Sequence, residues 1–371
     1  MPETSSEVAP AIKSIFQGRF LLTKLLGKGG FGEVYAAVQT SNNEVVAVKM
    51  EKNNGRNSFL FHEARVMQDI QKTPTKDGIS GIATLKYFGQ EGDYRMLIMS
   101  MHGASLEDIH EKLGRFSLKT TVMLADQILS RLEYIHSVGY VHRDLKTDNF
   151  LVGKGSFSNR VFMIDFGLSS KFLGSDGKHR DMSTGRYFLG TSRFASLRTH
   201  QGYSQSRRDD LEQLVYIMIY MYRGRLPWSG LNIKDPSAKE RKIGQIKADL
   251  SYSQICAKCP QEFEHLLFYA RNMEFSEAPQ YDMCHALLQS VLDSMSPRES
   301  MDYVFDWNVQ ASKPARQPLS PRDEIAPANV NAANAANQPN MLSDADGKGM
   351  FSGFGSSNPP ENIFSIGDRD A

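Results

Sequence analysis

The stretch HRDLKTDN, residues 142–149, places Asp144, Lys146 and Asn149 close together among turn-forming residues. Phosphoryl transfer needs a group that orients an attacking hydroxyl and accepts its proton, positive charge on the migrating phosphoryl, and oxygen ligands for magnesium. Asp144 suits the first task, Lys146 the second and Asn149 part of the third. Asp165, in MIDFGLS, offers a hard carboxylate oxygen as a further magnesium ligand. Gly167 is expected to permit the backbone turn that aims Asp165 inward. Far upstream, Gly27, Gly29 and Gly32 in LGKGGFGEV fit G-x-G-x-x-G, and a strand-like run, EVYAAV, follows them. That order places the glycines in a hairpin loop, where bare backbone N–H groups can approach phosphate, and not at the strand-to-helix turn of a dinucleotide site. Lys49, in VAVK, ends an apolar strand, and an amine buried there needs an anion: phosphate oxygens, or Glu63 on the following helix. Singly, each of these residues reads as an ordinary turn residue, flexible glycine or surface lysine. Their combination and order point to one phosphoryl-transfer site.

The elements that must position these residues change character along the chain. From Phe20, FLLTKLLGKGGFGEVYAAVQTSNNEVVAVKM predicts a hairpin and then a third strand carrying Lys49. SFLFHEARVMQDIQK has apolar residues at helical intervals with Glu63 inside it, and IATLKYFGQEGDYRMLIMSM reads as two more strands. LKTTVMLADQILSRLEYIHSVG predicts a long amphipathic helix ended by Gly139, with further helices at about 207–223, 237–249, 260–273 and 280–293. A β-rich lobe followed by a helical lobe predicts a ligand cleft between them. Residues 1–17 read as a flexible leader, and 309–371, rich in Pro, Asn, Ala, Gly and Ser, as a disordered tail with too little apolar surface to offset chain ordering.

The whole-chain numbers exclude several classes. A hydrophobic content of 40%, a charged content of 23% and a net charge of +1 are those of an ordinary globular chain and argue against nucleic acid or an acidic membrane as partner. The apolar run LVYIMIYMY is too short to span a bilayer and reads as a buried helix. Cys256, Cys259 and Cys284 lack the second pair a zinc site needs, so they read as reduced thiols in a reducing compartment: the cytosol, with the nucleus left open.

Together these motifs resemble the eukaryotic protein kinases, and within them the casein kinase 1 group, over about residues 18–308. GKGGFGEV, VAVK, HRDLKTDN and DFG carry the general resemblance. GTSRFAS (190–196), SRRDDLE (206–212), LPWSGL (226–231) and DYVFDWN (302–308) carry the group-level one, with tau-tubulin kinases the nearest alternative placement. The resemblance implies an α+β, bilobal kinase fold, with a small β-rich N-lobe holding one helix (about 18–102) and a larger helical C-lobe (about 103–308). It implies a Ser/Thr protein kinase that uses ATP and Mg2+ on protein substrates, favouring acidic or pre-phosphorylated ones; a monomer is the default expectation. A pseudokinase or scaffold is the alternative, disfavoured because no catalytic group is missing.

Carried across by position, the resemblance assigns nucleotide contacts to Leu26, Gly27, Lys28, Gly29, Gly30, Phe31, Gly32, Glu33 and Val34. Lys49 would hold the α- and β-phosphates and pair with Glu63. Met99 matches the gatekeeper, and the segment from Ser100 to His102 the adenine-binding hinge. Asp144 would be the proton acceptor, Lys146 the γ-phosphate contact, and Asn149 with Asp165 the metal ligands. Thr191 would touch Asp144 and Lys146 and help set hydroxyl specificity, and Asp210 would anchor the catalytic loop from below. Arg193 and Lys239 would form an anion pocket for acidic substrates. Arg143 could receive a phosphate from Ser183, Thr184 or Tyr187, although this group usually dispenses with such control.

Overall fold

The computed structural model describes residues 14–29, 32–53, 58–75 and 81–309. The expectations for Gly30 and Phe31, for most of the leader and for the tail from residue 310 onward lie outside the described residues.

The N-terminal lobe is an antiparallel sheet of β1 (Ser14–Ile15), β2 (Phe20–Gly29), β3 (Gly32–Gln39), β4 (Glu44–Lys52), β5 (Leu85–Glu91) and β6 (Tyr94–Ser100), in the order β1-β2-β3-β4-β6-β5. β1 corrects the leader boundary. Ser14 and Ile15 pair with Leu21 and Phe20, Ile15 is fully buried, and the Phe16 ring packs edge-on against Tyr87 at 4.8 Å. A two-residue strand presents no period to read. Helix α1 (Phe59–Gln71) begins where Ser58 Oγ accepts the Phe61 N–H, and it buries Leu60, Glu63, Ala64, Met67 and Ile70 along one stripe. Glu63 thus sits at a core position of an amphipathic helix.

The C-terminal lobe contains α2 (Leu106–Leu113), α3 (Leu118–Ser137), β7 (Tyr140–Val141), β8 (Phe150–Val152), β9 (Val161–Met163), β10 (Ser170–Lys171), α4 (Leu197–His200), α5 (Arg207–Arg223), α6 (Pro236–Asp249), α7 (Tyr252–Ile255), α8 (Gln261–Asn272), α9 (Tyr281–Asp293) and α10 (Asp306–Val309). α5 carries LVYIMIYMY and is buried nearly all round, packing on α3 and α8. Among the described residues no helix is long and apolar enough to cross a membrane. The DYVFDWN segment is pinned beneath α3: Phe305 is fully buried, Tyr303 donates to Asp126 Oδ2 at 2.7 Å, and Asp306 Oδ2 accepts the Ser117 N–H at 2.6 Å. The cysteines are free thiols, and burial pushes Cys256 and Cys284 up to about 12 and Cys259 to about 11, which leaves them unreactive.

Several bonds join the lobes, among them Tyr140 OH to Asp69 Oδ2 at 2.7 Å and His62 Nε2 to Ser169 O at 2.7 Å. Ala83 N and Met163 O, with Met163 N and Gly81 O, tie the entry to β5 onto β9. The Tyr134 hydroxyl, on α3, lies 2.7 Å from the carbonyl oxygens of both Ile70 and Thr73 at the end of α1, which share its one hydrogen.

Candidate active site

Sheet register brings the glycine hairpin to the lysine. Val34 lies opposite Gly27 on β2 and opposite Lys49 on β4, and Ala47 lies opposite the buried Met99 on β6. At the open end of the hairpin Lys28 pairs with Glu33 at 3.0 Å, both near solvent, and Leu26 beside them is exposed. A Cβ at Gly27 or Gly29 would meet nothing within 4 Å, so both border open space. Gly32 differs: with φ +125° its Cβ would stand 2.0 Å from Met50 O, so only glycine fits there. After Ser100 the chain leaves the sheet and is next held at Gly103, whose N–H donates to Val152 O at 2.6 Å. Met101 and His102 therefore bridge the lobes. The His102 imidazole meets Ser100 Oγ at 2.9 Å and stacks on Phe162 at 4.0 Å; burial, with Lys154 nearby, lowers its pKa to about 4.

Lys49 Nζ bonds Glu63 Oε2 at 2.7 Å and Asp165 Oδ1 at 2.9 Å. Burial alone would drive its proton off, but the two carboxylates hold the pKa above the ordinary lysine value. Burial pushes the nearly inaccessible Glu63 up against the pull of Lys49, whereas Lys49 and Lys146 outweigh burial at Asp165 and hold it low. Of the two, Asp165 is the carboxylate that is held low and keeps an exposed edge. The left-handed turn that presents it falls on Asp165 itself, with φ 66°, and not on Gly167, as the sequence had suggested. Phe166 is buried beneath, 5.3 Å from the His142 ring.

The catalytic loop is held from below by a buried carboxylate. Asp210, in the first turn of α5, accepts the His142 N–H (2.8 Å) and His136 Nε2 (2.9 Å) on Oδ2, and the Arg143 N–H (2.9 Å) on Oδ1. Gln213 Oε1, one turn on, accepts the Leu145 N–H at 2.7 Å. These bonds sustain a left-handed Arg143 (φ 72°) and turn Asp144 toward the cleft. Asp144 Oδ2 takes Lys146 Nζ at 2.9 Å, Oδ1 takes Thr191 Oγ1 at 2.7 Å, and the Asn149 amide donates to the Asp144 carbonyl at 3.0 Å. Thr191 reaches that carboxylate because Gly190, with φ +106°, packs where a Cβ would come 2.8 Å from Arg143 O.

Arg193 and Lys239 are placed differently from an open basic pocket. Arg193 bonds Glu107 Oε1 at 3.2 Å and lies over the Tyr220 ring; Lys239 is exposed in the first turn of α6. Sequence reasoning missed Glu107, which also accepts from Tyr220 OH and from Thr147 Oγ1 and so ties α2 to both the catalytic loop and Arg193. It missed Gln213 and the buried Lys247 as well. Gln213 carries a signal, as a polar residue inside the apolar α5, where burial demands a partner; Glu107 and Lys247 lie on polar helices and carry none.

A nucleotide and a divalent cation fit this donor set. The exposed edge of Asp165 and the amide of Asn149 offer hard oxygens of the kind magnesium takes beside substrate phosphates, and Lys49, 2.9 Å from Asp165, offers a cation that would suit those phosphates. Among the described residues no group of three or more His, Cys, Asp or Glu forms a cage that could hold a metal by itself. A metal held by Asp165 and Asn149 would need oxygens of a phosphorylated ligand to complete its shell.

A β-sheet lobe with one helix, a helical lobe and a carboxylate–lysine–amide loop between them define a bilobal α+β phosphotransferase. The chain matches the protein kinase domain over residues 20–295 and belongs to that family. It is a protein kinase, which implies that ATP is its phosphoryl donor and proteins its acceptors.

Proposed function

We propose that the chain is a Ser/Thr kinase of the casein kinase 1 type, acting with Mg2+ and preferring acidic or primed substrates. One observation carries the reading: Asp144 is fixed by two donors, Lys146 and Thr191, at 2.9 and 2.7 Å. Asp144 aligns the acceptor hydroxyl and takes its proton as the phosphoryl moves. Lys146 stays within reach of both that carboxylate and the transferring group, whose charge it offsets. Lys49, fixed by Glu63, holds the remaining phosphates of the nucleotide. Magnesium, when bound, neutralises phosphate charge, and Asp165 and Asn149 would hold it.

The group placement is supported by the way its motifs interlock. Ser196 Oγ donates to Asp209 Oδ1 at 2.5 Å, Glu212 Oε1 accepts the Leu197 N–H at 2.9 Å, and Trp228 Nε1 donates to Arg193 O at 2.8 Å. The Arg143 guanidinium already donates to the carbonyls of Leu168 and Ser169, which favours activity without a loop phosphate. For acidic substrates, an incoming phosphate would displace Glu107 from Arg193, with Lys239 as the second cation. A peptide array of Ser, Thr and Tyr acceptors, each with and without an N-terminal phosphoserine, tests this. Ser and Thr peptides should be labelled, primed ones best, and Arg193→Ala with Lys239→Ala should raise KM for primed peptides more than for unprimed ones. Tyr labelling, or equal effects on both peptide sets, would refute it.

A further inference from the structure

Lys247, on α6, is fully buried, although lysine is among the costliest residues to bury. Its amine donates to Ser192 O at 2.9 Å and Ala195 O at 2.6 Å, meets His200 Nε2 at 3.3 Å, and stands 4.9 Å from the Tyr216 ring centre and 4.7 Å from that of Trp228. Trp228 Nε1 in turn donates to Arg193 O. The carbonyls of Ser192, Arg193 and Ala195 are thus all captured from beneath by a lysine and an indole that lie far apart in sequence. The captured stretch runs between Thr191, bonded to Asp144, and Ser196, bonded to Asp209. An apolar side chain would fill the slot between the rings without desolvating an amine, so the bonds to the loop are what the amine adds. Burial drives its pKa well below the ordinary lysine value, only partly opposed by Glu212, and the amine donates in either protonation state.

We propose that Lys247 and Trp228 form a clamp that sets the position of the loop 191–196 and thereby governs peptide acceptance without touching nucleotide. The proposal rests on the reading of this loop as the peptide-docking segment. Lys247 is a positioning residue that acts through Thr191 and Arg193. The full chain and its Lys247→Met, Lys247→Arg and Trp228→Phe variants are compared by peptide KM and kcat, ATP KM and thermal melting. Losing two buried hydrogen bonds should raise the peptide KM of Lys247→Met about tenfold or more, with ATP KM held within about twofold. Lys247→Arg, which keeps donors for the carbonyls, should recover part of that loss. Trp228→Phe keeps a ring and removes one donor, so it should show the same split at smaller size, and it decides the matter if Lys247→Met does not fold. A lowered melting temperature with unchanged peptide KM, or peptide and ATP KM rising together, would overturn the clamp while leaving the kinase reading intact. A wild-type chain that hydrolyses ATP and labels no peptide would overturn both.

Discussion

Asp210→Asn isolates the support of the catalytic loop from its chemistry. The carboxylate is fully buried and receives donors from His142 N, His136 Nε2 and Arg143 N. An amide of the same shape has a single acceptor oxygen. If that oxygen keeps the pair on the Oδ2 side, the new NH2 opposes the Arg143 N–H. One charge-assisted bond is then lost and two donors face each other in the core, at a cost of about 2–4 kcal/mol. For a domain of this size that lowers the melting temperature by roughly 3–7 °C. The functional cost follows from the backbone. Arg143 holds a left-handed φ of 72° that its surroundings must maintain, and releasing its N–H lets Asp144 move. Displacement of a catalytic group by about 1 Å costs on the order of 100-fold in rate, so kcat should fall by about 10- to 100-fold. Lys49 and Asp165 keep their own ion pair, so ATP KM should stay within about twofold. Steady-state kinetics with a Ser peptide, run beside thermal melts, make the check. Wild-type kcat in a destabilised variant would refute the link from Asp210 to Asp144, and a large rise in ATP KM would show that the lesion spreads beyond the loop.

Two further outcomes are expected. Lys49→Met strands the buried Glu63 without its cation, so it should cost about 3–5 kcal/mol in urea unfolding, and adding Glu63→Gln should restore much of the stability but none of the phosphoryl transfer; a double variant no more stable than Lys49→Met would contradict the pairing. His102 and His200 have pKa values lowered to about 4 and about 3, and buried His136 is also lowered, in each case chiefly by burial. Because these histidines titrate at a lower pH folded than unfolded, the stability they contribute is complete above about pH 6.5 and is lost as pH falls toward the folded values. Denaturant midpoints should therefore decline from about pH 6.5 downward; a flat profile between about pH 6.5 and 4.5 would contradict neutral, buried imidazoles.

Much of the site was legible because its chemistry is local. Asp144, Lys146 and Asn149 share one loop, and the strand carrying Lys49 and the helix carrying Glu63 announce themselves by period and flanking turns. The expected helix at 207–223 coincides with α5, at whose start Asp209 Oδ2 accepts the Ser206 N–H at 2.8 Å and at whose end Gly224 stands, residues of the kinds that mark helix ends in a sequence. What escaped depends on packing between distant elements. Lys239 and Lys247 lie on the same helix and look alike in a charged, amphipathic segment, yet only contact with the loop around Ser192 shows that the second is buried. Glu107 reads as an exposed acid of a first helical turn until Arg193, Thr147 and Tyr220 converge on it. The left-handed residue in DFG proved to be Asp165, because an aspartate can adopt that conformation when its environment holds it there.

The most direct measurement is transfer of labelled phosphate from ATP to a Ser peptide by the full chain and by its Asp144→Asn variant, at matched protein concentration and with magnesium present. The wild type should label the peptide, and the variant should bind ATP with similar affinity while its turnover falls by about 100-fold or more. No labelling by folded, ATP-binding wild type, or equal labelling by the variant, would contradict the role given to Asp144.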